Sequence, residues 1–192
     1  MKTIIAIPMI EHIPSYLEAL REGHHCGADK VKDAAAIAAI AADPQGFLDR
    51  MLGPQPETWV NEKGETLERV PDTPFWFVEG DTFIGDARIR HRLNAALEAS
   101  GGHIGYGIRP SYQGKGHATE MLRQCLVWAR ENLKIEKVLL TCRVENEASW
   151  KVIEKNGGEL LDVTPHPYAA GQMQKRYWVP VPRKLPNIRI LH

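Results

Sequence analysis

The chain has 192 residues, of which 43% are hydrophobic and 25% are charged, a composition typical of a globular protein with one sizeable core. Lys and Arg together number 24, as do Asp and Glu, so the net charge is zero and lacks the basic excess of nucleic-acid-binding proteins. No apolar run approaches the ~18 residues of a membrane span, and three widely spaced cysteines, Cys26, Cys125 and Cys142, predict reduced thiols in a cytoplasmic protein.

The N-terminal third predicts one strand followed by helices. Residues 3–7 form a short apolar run broken by Pro8, which indicates a first strand and not a signal peptide. Helices are expected over 15–22, over 31–42 with Asp29 as the N-cap, and over 46–52 after a break at Asp43-Pro44. A turn at 60–64 is expected to separate two short extended pieces.

The rest of the chain predicts a hairpin and then alternating strands and helices. Residues 75–78 and 83–89 flank a turn at 79–82. A loop or single helical turn is expected over 93–99. Further strands are expected over 103–109, 138–144, 159–163 and 176–179, and helices over 119–133 and up to Lys155. This order predicts an α+β domain with a mixed sheet.

A glycine-bearing loop, SYQGKGHA at 111–118, stands between the strand 103–109 and the helix 119–133. The first turn of a helix has backbone N–H groups without partners inside the helix, and the macrodipole adds partial positive charge there. Phosphate is a usual ligand of such a turn. Gly114 and Gly116 lack a Cβ atom and would let a phosphate approach the backbone closely.

Two common phosphate loops do not fit this segment. A Walker loop requires a glycine where the chain has Arg109, and Ser or Thr where it has Gly116. The dinucleotide fingerprint would start at Gly105 and Gly107, but Pro110 stands where its third glycine belongs.

The pattern Q/R-x-x-G-x-G/A does fit, as residues 113–118, and it resembles the acetyl-CoA pyrophosphate loop of the GNAT superfamily of N-acetyltransferases. A second segment, ENEASWKVIEKNGG at 145–158, resembles the N-x-x-[AS]-x-x-x-[IY]-x-K-x-G ending of the same superfamily. There Asn146 suits a helix N-cap and Gly157 a helix stop. The two motifs lie in the expected order, and the resemblance covers roughly residues 75–178.

The resemblance implies an α+β fold in which a mixed, splayed central β-sheet is flanked by helices. Acetyl-CoA would lie in the cleft where the central strand diverges from the next one. The chain would form a single domain, 1–192. Within it we expect an N-terminal helical acceptor-side region at 1–70, an acetyl-CoA-binding core at 75–163, and a closing strand and tail at 164–192.

The resemblance also implies which residues bind acetyl-CoA. The loop N–H groups would hold the pyrophosphate, while the backbone of Ile108 and the side chain of Asn146 would meet the pantetheine arm. The cofactor-binding residues expected are Ile108, Gln113, Gly114, Lys115, Gly116, His117, Ala118, Thr119 and Asn146. No metal is expected, because His24, His25 and Cys26 have no partners at a ligand spacing.

Two acid–base positions of the superfamily are changed in this chain. Many members have a tyrosine seven residues after the motif asparagine, where this chain has Ile153, and a glutamate on the central strand, where it has Gly105-Tyr106-Gly107. The candidate catalytic substitutes are, in order, His103, Tyr106 and Glu79, with Asp86 and Tyr177 as further candidates. The ordinary pKa of histidine, ~6.5, suits a base. The alternatives are a strand-edge hydrogen bond for His103 and a place in the core for Tyr106.

We therefore expect an acetyl-CoA-dependent acyltransferase that moves the acetyl group to a primary amine by direct attack in a ternary complex. The amine would belong to a small molecule or to a peptide or protein N-terminus. The rival hypothesis is a non-catalytic acyl-CoA-binding sensor that kept the loop and lost the acid and the base. Neither nucleic acid nor a membrane is expected as a partner. A homodimer is expected from the closing strands and the tail after Val179.

Overall fold

The computed structural model describes residues 3–26, 31–60 and 66–181. Numbered in chain order, the strands are β1 Ile4–Ala6, β2 Thr58–Val60, β3 Thr66–Glu68, β4 Asp72–Glu79, β5 Thr82–Arg90, β6 Ile104–Ile108, β7 Lys137–Arg143, β8 Glu159–Pro165 and β9 Met173–Pro180. The α-helices are α1 Ile13–Arg21, α2 Ala34–Ala42, α3 Pro44–Leu52, α4 Ala95–Ala99, α5 His117–Leu133 and α6 Glu147–Lys155. Single 3-10 turns cover Ile10–His12 and Pro110–Tyr112.

The helices of the N-terminal third begin at different residues from those predicted. The side chain of Asp33, not Asp29, caps α2 by accepting from the Ala36 N–H at 2.8 Å, and Asp29 lies outside the described residues. Asp43, predicted as a break, caps α3 by accepting from the Gly46 N–H at 2.9 Å. Proline at the first helical position removes an N–H that would have no partner there, so Pro44 starts the helix. The extended pieces β2 and β3 are present, but most of the turn predicted between them lies outside the described residues.

The strands form two larger antiparallel sheets and one small hairpin. The first sheet has the order β1-β4-β5-β6, the second has the order β7-β9-β8, and β2 pairs with β3. Each ladder in the described part of the chain is antiparallel. The predicted α+β class with helices flanking the sheet is confirmed, whereas the sheet that was expected to be mixed has only antiparallel ladders in the described residues, because β6 and β7 do not pair.

Strand β4 is apolar on both faces because helices cover both sides of the first sheet. Phe75 and Phe77 enter a core shared with α5 and with β7 and β9 of the second sheet. Trp76 and Val78 point the other way and pack with α1, α2 and α3. The helix α5 is therefore the element that joins the two sheets, and α1–α3 close the opposite face of the first.

The two sheets meet at the start of β6 and then diverge. The His103 N–H donates to the Leu139 carbonyl at 2.8 Å, and the Leu139 N–H donates to His103 Nδ1 at 2.9 Å. No ladder joins β6 to β7 among the described residues. A cleft therefore opens between the two strands beyond His103.

Candidate active site

The edge of β6 that faces this cleft carries backbone groups that do not pair with β5. The Arg109 N–H donates to the Ile84 carbonyl, and the Arg90 N–H donates to the His103 carbonyl, each at 2.8 Å. These bonds flank the pairs Ile108–Gly85 and Ile104–Ile89, which are therefore non-hydrogen-bonded pairs of the ladder. The N–H and C=O groups of Ile104, Tyr106 and Ile108 consequently point away from β5, toward the cleft, as an extended ligand would require.

The loop after β6 ends in two glycines with left-handed backbone. Gly114 has φ +74° and Gly116, the N-cap of α5, has φ +86°, and a Cβ on either would meet nothing within 4 Å. No described group accepts from the backbone N–H of residues 114–118. These N–H groups and the positive end of α5, a helix of 17 residues, converge on open space.

The side chains of Gln113 and Lys115 have hydrogen-bond partners, unlike the backbone N–H groups of residues 114–118. The Gln113 N–H is occupied by the Pro110 carbonyl at 3.2 Å, and its Nε2 donates to the Ile108 carbonyl at 3.0 Å. Lys115 turns back, with Nζ donating to the Ser111 carbonyl at 2.9 Å. The free N–H groups therefore begin at residue 114, one residue later than predicted. The side chain of Gln113 links the loop to β6 by a hydrogen bond.

Three further residues predicted to bind the cofactor lie close to the loop or at the cleft. The ring of His117 packs against those of Tyr112 and Phe77, with centroids 5.8 and 6.2 Å away. The Thr119 N–H donates to the Gly116 carbonyl at 3.1 Å. Asn146 caps α6, its Oδ1 accepting from the Ser149 N–H at 3.1 Å, and its exposed side chain keeps the amide NH₂ for another partner.

His103 is built into the junction of the sheets and is 7% exposed. Its Nδ1 already accepts from Leu139. Burial lowers the pKa of His103 to about 4, and the positive charge of Arg90 acts in the same direction. The structure therefore does not support the expected pKa near 6.5, and it favours the strand-edge alternative. A catalytic role for His103 stays an untested prediction.

Tyr106 extends from β6 to α6 across the cleft. Its hydroxyl lies 3.1 Å from Ser149 Oγ and 3.4 Å from the Ser149 carbonyl oxygen. Burial raises the pKa of Tyr106 well above its usual range, although the hydrogen bond with Ser149 opposes the shift. The phenol is thus held protonated beside the cleft.

Glu79 and Ile153 both lie outside the cleft. Glu79 pairs with Thr82 at the β4–β5 turn, and β4 is separated from β6 by β5. The structure thus does not bring Glu79 to the cleft, so its predicted catalytic role has no geometric support. Ile153, at the position of the usual tyrosine, is 1% exposed and belongs to the core.

A buried histidine–carboxylate pair stands on the other face of β5. His24 Nε2 lies 3.0 Å from Asp86 Oδ1, with the side chain of His24 1% exposed and that of Asp86 19% exposed. Asp86 pairs with Gly107 of β6. Sequence reasoning placed Asp86 low among the candidates and had no signal for its partner, which lies 62 positions earlier in the chain.

Two glycines of β6 share the face of Asp86. A Cβ on Gly107 would lie 2.3 Å from the His25 carbonyl oxygen, whereas a Cβ on Gly105 would meet nothing within 4 Å. The segment that carries His24 therefore crosses β6 directly over Gly107, and an opening remains at Gly105.

A cavity of about 660 Å³ lies on this face, between the first sheet and α1–α3. Its lining includes Tyr16, Trp76, Asp86 and Arg88. The volume falls in the range of pockets that hold small ligands. Side chains alternate along a strand, and Asp86 and Tyr106 belong to neighbouring pairs of the β5–β6 ladder. Their side chains therefore point to opposite faces of the sheet.

The comparisons with known proteins agree with this geometry. A sequence model described as "Acetyltransferase (GNAT) domain" matches residues 29–159. The chain belongs to the GNAT acetyltransferase family. The curated "Uncharacterized N-acetyltransferase YnaD" of Bacillus subtilis (strain 168) is 33% identical over 54 residues, which is 28% of this chain and 32% of YnaD. The alignment thus spans about a third of that relative's length.

Two solved structures share the GNAT fold with this chain. The ribosomal L7/L12 alpha-N-protein acetyltransferase RimL in complex with coenzyme A has a TM-score of 0.58 at 14% identity, covering 94% of this chain and 95% of RimL. The spermidine/spermine N-acetyltransferase SpeG from Vibrio cholerae, solved in mutant forms, has a TM-score of 0.59 at 14% identity, covering 93% of this chain and 95% of SpeG.

The described residues contain neither a membrane-spanning helix nor a metal-binding cluster. No helix there is long and apolar enough to cross a membrane. No group of three or more His, Cys, Asp or Glu residues in the same ranges is arranged to hold a metal ion.

Proposed function

We propose that this GNAT protein transfers the acetyl group of acetyl-CoA to a primary amine, by direct attack of the amine in a ternary complex. The observation that carries the proposal is the run of N–H groups at residues 114–118, for which the described part of the chain supplies no acceptor, beside the edge of β6 that does not pair with β5. Acetyl-CoA would supply an acetyl group activated as a thioester.

Backbone and side-chain groups of this chain could bind both the pyrophosphate and the pantetheine arm of acetyl-CoA. The N–H groups of residues 114–118 would bind the pyrophosphate, and the free edge of β6 at Ile108 and Tyr106 would bind the pantetheine arm. Gln113, Thr119 and the Asn146 amide would border it. A backbone N–H of β6 that points into the cleft can donate to the thioester oxygen as negative charge develops there.

Proton transfer would use two side chains on opposite faces of the sheet. Asp86, held by His24, would take the proton that the amine must lose before it attacks. Tyr106, protonated and hydrogen-bonded to Ser149, would donate to the departing thiolate sulfur. In this scheme the C–N bond forms and the C–S bond breaks. The ammonium nitrogen gives one proton to Asp86 before the attack and a second to solvent as the amide forms, and solvent replaces the proton that Tyr106 gives to the sulfur.

Two of the three cysteines do not suit an acetyl-cysteine intermediate. Cys125 is fully buried, and burial raises its pKa to about 12. Burial likewise raises the pKa of Cys142 to about 11. Neither thiol would ionise at neutral pH. Cys26 borders the cavity, and its Sγ lies 3.9 Å from the Asp86 carbonyl oxygen.

Coenzyme A release from acetyl-CoA, measured with a panel of amines and confirmed by mass of the acetylated product, tests the proposal. Turnover that depends on the amine supports the enzyme. The rival, an acyl-CoA-binding sensor, predicts tight acetyl-CoA binding by calorimetry with no amine-dependent release. A trapped acetyl-thioester on Cys26, or parallel-line kinetics, would contradict direct attack.

A homodimer remains part of the proposal. Strand β8 is an edge of the second sheet and exposes Leu160, Leu161 and Val163, which are 52%, 48% and 46% exposed. An unpaired apolar edge tends to find a partner strand. Light scattering at micromolar concentration should give twice the 21.6 kDa chain mass, and Leu161→Lys should return the monomer mass.

A further inference from the structure

We infer that the acceptor amine belongs to a molecule that also carries an anionic group, such as the carboxylate of a short peptide, and that Arg69 binds this group. The inference rests on the proposed function and names the substrate class of that same site. It comes from the charges that line the 660 Å³ cavity on the α1–α3 side of the first sheet.

The acidic side chains of the cavity are already paired. Asp72 accepts from Arg88 at 2.6 Å, and Glu68 accepts from Arg92 at 2.5 Å. Asp86 is paired with His24. Two of these carboxylates are therefore neutralised by arginine, which leaves Asp86 to meet the amine of an acceptor.

Among the described residues that line the cavity, five side chains are basic and three are acidic. Arg50 is paired with Asp43 at 3.3 Å, and Arg90 donates to the carbonyls of Gly101 and Gly102. Arg69 lines the cavity, its Nε is buried, and no group in the described ranges accepts from it. A buried guanidinium N–H without a partner is costly, and a ligand carboxylate or phosphate would satisfy it with two parallel hydrogen bonds. Lys32 lines the same cavity and adds a second positive charge.

Two walls of the cavity thus suit the two ends of one molecule. Asp86, which would take the proton of the amine, lines the cavity from β5 and pairs with Gly107 of β6. Arg69 follows β3, on the hairpin that forms another wall. A polyamine would bring only further positive charge to this wall. The surplus also disfavours the ammonium form of a bound amine, which helps the amine reach its reactive neutral state.

The test compares pairs of acceptors that differ only in the anionic group. A dipeptide and its C-terminal amide have amines of similar basicity, because the carboxylate lies several bonds away, and spermidine serves as the polyamine. We expect kcat/KM for the dipeptide to exceed that for its amide by at least about tenfold, mostly through KM, with spermidine poorer than both. The Arg69→Gln variant should bring the dipeptide-to-amide ratio close to one.

Arg50→Gln is the matched control, because it removes a cation at the same cavity whose partner, Asp43, lies outside it, and it should leave the ratio unchanged. Acetyl-CoA affinity by calorimetry checks that Arg69→Gln is folded. Equal rates for dipeptide and amide, or a preference for spermidine, would overturn the inference while leaving the proposed acetyl transfer intact. If no amine is acetylated, the proposed function fails. Calorimetric binding of the dipeptide against its amide, in the presence of coenzyme A, then tests the anion site on its own.

Discussion

His103 and Leu139 hold the two sheets together through a reciprocal pair of hydrogen bonds, one to a backbone carbonyl and one to an imidazole nitrogen. The side chain that the sequence offered first as a catalytic base thus occupies the point from which the cleft opens. Its position explains both its burial and its lowered pKa.

His103→Ala should therefore lower the free energy of unfolding. It should have little effect on the proton-transfer step of the reaction. Loss of the acceptor for the Leu139 N–H leaves a buried donor unpaired, at a cost of about 1–3 kcal/mol in the free energy of unfolding. Denaturant unfolding measures this loss. The pH–rate profile of His103→Asn, whose side-chain oxygen can still accept from Leu139, should keep the shape of the wild type. A profile that loses an ionisation in His103→Asn would restore His103 as a base.

Tyr106→Phe should lower the rate of acetyl transfer by roughly 100-fold or more, the usual contribution of a positioned acid. Acetyl-CoA affinity should change little, since the ring remains. Single-turnover measurements separate the chemical step from binding. Tyr177→Phe is the control, because the Tyr177 hydroxyl bonds Glu154 at 3.0 Å in the core. Equal rates for the two variants would contradict the role of Tyr106.

Gly116→Val should weaken acetyl-CoA binding more than tenfold, roughly 1.4 kcal/mol or above. A branched side chain would stand among the free N–H groups and would also resist φ +86°. Gly171→Val separates these two effects, because Gly171 has φ +75° with nothing near its Cβ and is remote in sequence from the loop. Calorimetry should find weakened binding in the first variant alone. Similar affinities in both would mean that the loop does not hold the pyrophosphate.

Acid should weaken the junction between α1 and the end of β6. Arg109, which is 8% exposed, donates to Glu22 Oε1 at 2.6 and 2.8 Å. This hydrogen bonding, helped by the Ser111 N–H and opposed by burial, lowers the pKa of Glu22 from 4.5 to about 2. The contribution of Glu22 to stability is therefore complete above pH 4.5 and is lost as the pH falls from 4.5 toward 2.

Urea unfolding between about pH 6 and pH 2.5 measures that loss. Glu22→Gln should be less stable than the wild type near pH 6 by about 1–2 kcal/mol and should show a shallower decline in acid. Glu18→Gln is the control, since Glu18 meets the same Arg109 at 3.2 Å with a side chain 61% exposed. A decline in Glu22→Gln as steep as that of the wild type would assign the acid sensitivity to other carboxylates.

The sequence predicted those parts of the site that depend on neighbouring residues. The loop at 113–118 is recognisable because its glycines and the helix that follows are local, and the positive φ of Gly114 and Gly116 agrees with them. Asn146 is a helix cap for the same reason. The general features of the core follow from periodicity, as on α5 and β4.

The features of the site that could not be predicted from the sequence depend on contacts between residues that are far apart along the chain. The environment of His103 is set by Leu139, the partner of Asp86 is His24, and the cavity is shared by α1, α3, β3, β4 and β5. Neither burial nor a pairing across tens of residues leaves a local pattern. The surroundings of the catalytic candidates were therefore the part of the site that the sequence could not predict.

The contact between Gly107 and the His25 carbonyl limits how this protein can change by single substitutions. Any side chain at 107 would start 2.3 Å from that oxygen, so an acidic residue cannot enter there unless the segment before residue 27 moves. Gly105 has room for one. Mutational paths that return a carboxylate to the central strand, whether in evolution or in directed selection, should therefore run through position 105, with position 107 changing only after the overlying segment does.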